Sequence, residues 1–124
     1  MIKLAMALAV ASFTYGATGE WVKVSENSEI VFYLDKATIR KDGDFRRAWV
    51  MQDLKTRDTD GELSRRILDE YDCKNERWRI LSISTHSQGM AKGDILVSSS
   101  YSGGWNEITP ETAAETKLKM ACSL

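Results

Sequence analysis

Two cysteines, Cys73 and Cys122, constrain the fold more than any other feature of the chain. Cys73 falls within a run from Ser64 to Ser84 that reads as two antiparallel strands joined by a tight turn at Lys74, Asn75 and Glu76. Cys122 closes a stretch with helical spacing. A bond between them clamps a helix to a sheet. Closing a loop of about 50 residues in this way stabilises a fold by roughly 4 kcal/mol in the chain-entropy model, a large share of a small domain's net stability. Whether the pair forms depends on compartment, because disulfides persist where the surroundings are oxidising.

The start of the chain supplies the compartment. Met1 to Lys3 are short and positive, Leu4 to Phe13 are almost wholly small or apolar, and Ala17-Thr18-Gly19 offers the small residues a signal peptidase reads. The expected organisation is a signal peptide over 1–19 and one mature domain over 20–124. Two cysteines in an exported chain pair rather than stay free. The apolar run is shorter than the roughly 20 residues a bilayer span needs, so no transmembrane segment is expected. With no cysteine near the cleavage site, a lipid anchor is not expected either. The chain is therefore read as secreted across the inner membrane, to the periplasm or the cell surface.

Charge excludes one large class of partner. The 17 basic residues are nearly matched by 18 acidic ones and interleaved with them, and loss of Lys3 with the signal moves the net charge only from -1 to -2. No uniform basic face builds up to attract nucleic acid. Two distant cysteines and a single histidine, His86, give no metal site of recognisable spacing, and no cofactor is expected.

Along the mature chain, Trp21 to Val24 alternates as a short strand, and Ile30 to Leu34 is a β-branched and aromatic run of strand length. Asp35 follows as a turn residue capping a local amide. Asp42-Gly43 marks a hairpin turn, and the return strand, Phe45 to Leu54, is partly apolar on both faces, as a central strand is. Lys55 to Glu62 reads as an exposed loop, Thr85 to Asp94 as a long one, and Ile95 starts a last strand. Thr109-Pro110-Glu111 is expected to start the helix, with Ala114, Leu118, Ala121 and Cys122 on its inner face and Glu111, Glu115 and Lys119 on the wet side. The expected fold is α+β: a single antiparallel sheet of about six strands, with a C-terminal helix packed on one face and tied by the disulfide.

Phe32 to Ile39, the segment from Ser64-Arg65-Arg66 through Tyr71 to Cys73, and Ile108 to Thr112 ending at Ala121-Cys122 carry a resemblance to the surface-adhesin protein E family of bacterial envelope proteins. The resemblance runs from about Trp21 to Cys122 and implies a similar fold. It also implies adhesion by protein binding rather than catalysis, with host extracellular-matrix and serum proteins such as laminin and vitronectin as the family's targets. The family's binding region lies around its first cysteine, which here points to Arg65, Arg66, Lys74, Arg77 and Arg79 as partner-binding residues. Asp69, Glu70, Asp72 and Glu76 interleave with them, so cross-strand ion pairs are the competing use of these side chains. Arg65 and Arg66 must face opposite ways on a regular strand.

Other readings are less well supported by residues. His86, with Asp94 or Glu70 as an orienting partner, lacks a nucleophile signature, and the chain is not read as an enzyme. Trp49, Trp78 and Trp105 could pack the core or line a cleft for a small apolar ligand between sheet and helix in a periplasmic binding module. A free edge strand offers a route to a homodimer.

Overall fold

The computed structural model describes residues 20–123; the expected signal peptide over 1–19 lies outside the described residues. Within them run strands β1 (Trp21–Glu26), β2 (Ile30–Asp35), β3 (Arg40–Asp42), β4 (Phe45–Leu54), β5 (Ser64–Asp72), β6 (Arg77–His86), β7 (Ile95–Ser100) and β8 (Asn106–Glu107), then helix α1 (Ala113–Cys122). The eight strands form one antiparallel sheet, six of them in the order β1-β2-β4-β5-β6-β7. The two short strands extend rows already present. β3 pairs with the start of β4, beside β2, and β8 pairs with the start of β6, beside β7. The sheet is thus six positions wide although eight strands build it.

Local chemistry sets the turns. Gly43 and Asp44 form the two-residue turn between β3 and β4, and Gly43 takes φ +61°, which glycine adopts without a Cβ penalty. Asp35 ends β2 as expected: its Oδ1 accepts from Ala37 N at 3.0 Å and from Glu20 N at 3.1 Å. Asn27 likewise accepts from the amides of Glu29 and Ile30, both at 2.8 Å, which turns the chain from β1 into β2.

The helix starts later than Thr109-Pro110-Glu111 suggests. Glu111 takes φ +63°, outside helical geometry, and Thr112 is the cap, its side chain accepting from Glu115 N at 3.3 Å. Glu115 in turn accepts from Glu111 N at 3.1 Å, so a Thr-x-x-Glu arrangement outcompetes the proline as the start signal. His86 also differs from its expected place. It is the last residue of β6 and buried, rather than part of the following loop.

Leu34, Ala48, Val50, Ile67 and Tyr71 form one buried cluster with Leu118 and Ala121 of α1, and Trp78, Ile80 and Ile83 pack against it. The spacing 78, 80, 83 cannot lie on one face of a regular strand. β6 solves this with a bulge at Leu81, where the register steps from Asp69↔Ile80 to Leu68↔Ser82. Cys73 and Cys122 are joined, with Cα atoms 5.8 Å apart. Lys117 adds a polar tie, its Nζ 3.1 Å from Asp69 Oδ2, a carboxylate to which Tyr71 also donates at 2.7 Å.

Candidate functional site

Strand register gathers the candidate residues into transverse rows. Phe45, Asp72 and Arg77 are successive partners across β4, β5 and β6, and Arg47, Glu70 and Arg79 form the next row. Alternation places both rows on the face opposite Ala48, Tyr71 and Trp78. Further along the same face lie the rows Trp49, Leu68, Ser82 and Met51, Arg66, Ser84.

Each of the first two rows is held by a buried carboxylate. Asp72, 1% exposed, accepts from Arg77 Nη2 at 2.7 Å and from Asn75 Nδ2 at 2.9 Å. Glu70, also 1% exposed, accepts from Arg79 Nη2 at 2.7 Å on one oxygen and from Arg47 Nε at 3.0 Å on the other. The Arg77 and Asn75 bonds lower the Asp72 carboxyl to about 2, against the opposing effect of burial. Burial alone would raise the Glu70 carboxyl, but the bonds from Arg47 and Arg79 outweigh it and leave the group below its ordinary range.

Trp105 completes this end of the face. It immediately precedes β8, whose pairing with Arg77 and Trp78 fixes it over the arginines. The guanidinium carbons of Arg79 and Arg77 lie 4.3 and 4.9 Å from its ring centroid, and Phe45 flanks it at 5.4 Å between centroids. A groove between the β3–β4 and β5–β6 turns is lined by Asp42, Phe45, Asp72, Lys74 and Arg77, with Lys74 exposed. The product is a platform of fixed cations on an aromatic ring, which suits recognition of a protein surface.

Of the five expected partner-binding residues, Lys74, Arg77 and Arg79 therefore come together. Arg66 shares their face some distance away, stacked 3.6 Å over the Trp49 ring. Arg65 does not join them. It faces the other way, bonding to Glu62, to Asp58 at 3.2 Å and to Gln52 at 2.8 Å. The carboxylates of Asp58, Asp60 and Glu62 approach within 4.8 Å of one another, but Arg65 already satisfies two of them.

The tryptophans do not form one cleft. Trp49 and Trp105 carry arginines on one face, while Trp78 points to the other, against the core and 5.3 Å from Lys117 Nζ. Leu34, Ala48, Val50 and Tyr71, each at most 1% exposed, cluster with Leu118 and Ala121 of α1. His86 bonds neither Asp94 nor Glu70 but Ser84, whose Oγ lies 2.8 Å from its Nε2. Burial, then the charge of Arg66, lowers the imidazole pKa. The anchoring roles of Glu70 and Asp72 had a signal in the sequence, since two acids and two arginines at i, i+2 spacing flank one short turn. Trp105 had none, because its place depends on a two-residue strand.

The family model described as surface-adhesin protein E matches residues 21–123. The chain belongs to the surface-adhesin protein E family. Solved structures of Haemophilus influenzae protein E share its fold. Crystal form II matches with TM-score 0.65 at 15% identity, covering 94% of this chain and 97% of that one. A second structure of the same protein gives 0.62 at 14% identity, covering 92% and 91%. That of protein E from non-typeable Haemophilus influenzae gives 0.58 at 14% identity, covering 94% and 83%. No match was found among curated proteins. Among the described residues of this protein E family member, no helix is long and apolar enough to cross a membrane.

Proposed function

We propose that this chain is a non-catalytic, exported bacterial envelope protein that acts by adhesion to another protein through the face bearing Lys74, Arg77, Arg79 and Trp105. On this reading residues 1–19 are removed as a signal peptide, 20–124 form the mature domain, and the protein resides in the periplasm or at the cell surface. α1 lies over the face of the sheet that carries Leu34, Val50 and Ile67, which leaves the opposite face for the partner. Family membership supports the adhesin class.

The observation that carries the reading is the Arg77–Trp105–Arg79 arrangement. Arginine and tryptophan dominate the energetics of protein interfaces, and side chains already fixed by Asp72 and Glu70 lose little freedom on binding. Surface plasmon resonance of the mature, oxidised protein over immobilised laminin and vitronectin, with a pull-down from bacterial envelope extract beside it, tests the reading. Arg77→Glu and Trp105→Ala, verified as folded, should abolish capture; retention of binding by both would overturn it.

The β7 edge supports a homodimer as well. Ile95, Leu96 and Val97 are 62%, 44% and 55% exposed on the outermost strand, and an unpaired edge of this kind invites a second strand.

A further inference from the structure

The guanidinium of every other described arginine donates a hydrogen bond inside the chain, but that of Arg66 donates none. Its guanidinium is half-buried, with one flat side covered by Trp49 at 3.6 Å. Burial disfavours its charge, while Asp35 at the end of β2, with β4 in between, favours it from a distance without bonding it. A partly desolvated cation with five open N–H donors is an unfinished interaction. Ser84, its register partner on β6, brings a hydroxyl to the same spot, held at 2.8 Å from His86.

We propose that Arg66, stacked on Trp49 and flanked by Ser84, receives an acidic side chain from an extended segment of the protein partner. The planar fork matches a carboxylate with two parallel hydrogen bonds, and the Trp49 ring fixes the plane in which they form. Along β5, Arg66 lies four residues from Glu70, the anchor of Arg79, a separation of about 13 Å at strand rise. Side chains at i and i+4 of an extended segment span the same distance. A segment laid along the face would therefore reach Trp105 with one residue and place a carboxylate on Arg66 four residues away.

This inference rests on the proposed binding face, and the test separates the two. Hexaglutamate, with hexaglutamine as control, is titrated at low salt into the mature, oxidised protein while the Arg66 Nε–Hε resonance and, in parent and variants alike, the backbone amides of β4, β5 and β6 are followed by NMR. The expected result is a saturable shift with hexaglutamate alone, and a Kd raised at least fivefold by Arg66→Gln and less by Arg66→Lys, which keeps the charge without the fork. No shift at Arg66, or an unchanged Kd in Arg66→Gln, overturns the inference. If Arg77→Glu abolishes laminin or vitronectin capture while Arg66→Gln leaves hexaglutamate binding unchanged, the binding face stands and the carboxylate site falls. The converse pattern keeps the Arg66 site and rejects the face.

Discussion

Lys117 Nζ lies 3.1 Å from Asp69 Oδ2, and the two side chains are 7% and 0% exposed. The pair joins the middle of α1 to β5, and Tyr71 donates to the same carboxylate oxygen. Desolvation offsets much of the attraction in such a pair, so its loss is felt mainly when one charge is left behind.

Lys117→Met is accordingly expected to cost about 3 to 5 kcal/mol, because Asp69 stays buried without its counter-charge. The double substitution Lys117→Met with Asp69→Leu should recover more than half of that loss. Guanidinium unfolding of the three proteins checks both statements, and a single-variant loss near zero would mean that the pair does not hold the helix.

Reduction of Cys73–Cys122, or replacement of both by serine, is expected to lower stability by about 4 kcal/mol for a loop of this length. Paired denaturation curves with and without reductant give the value. Protection of the α1 amides from hydrogen exchange should fall more than that of β4 and β5.

Acid should unfold the protein through its carboxylates. Asp72 has a folded pKa of about 2 against an ordinary 3.8, so its contribution is complete above pH ~4 and is lost as the pH falls towards 2. Glu70 acts in the same sense. Urea midpoints measured across this range should drop for the parent protein and drop less for Arg77→Gln, in which the main cause of the Asp72 shift is absent.

Thr112→Ala is expected to cost about 1 kcal/mol as loss of an N-cap, while Thr109→Ala should change stability little. Thermal denaturation of the two variants distinguishes the observed start of α1 from the one that Pro110 suggests.

Sedimentation of the mature protein should reveal a dimer that Val97→Lys dissociates, since a charge on the outer strand opposes edge pairing. A monomeric parent would remove β7 as an association surface.

Much of the fold is legible from residues alone. The strand assignments for Ile30 to Leu34 and Phe45 to Leu54 follow from β-branched content and alternation, and the Asp35 cap from its side-chain chemistry. What escapes is what depends on tertiary context. The Leu81 bulge reverses the facing of every later residue in β6, so Ser84 and His86 share a face with Arg79 where strict alternation separates them. Lys117 reads as solvent-facing by type, and only the position of Asp69 explains its burial. At the candidate site, it is the resemblance to the protein E family that points to Lys74, Arg77 and Arg79, around Cys73. The sequence reads Trp105 only as a core or cleft residue, and the resemblance groups Arg65 with residues on the far side of the sheet.

The Cys73–Cys122 bond also decides how the molecule would carry mechanical load. Cys73 follows β5 directly and Cys122 ends α1, so tension entering from beyond the helix passes through the sulfurs into the central strand. The whole stretch between, including Arg77, Arg79 and Trp105, lies off the line of force. Pulled by its two ends, the chain would lengthen outside this loop while the stretch within it stayed slack.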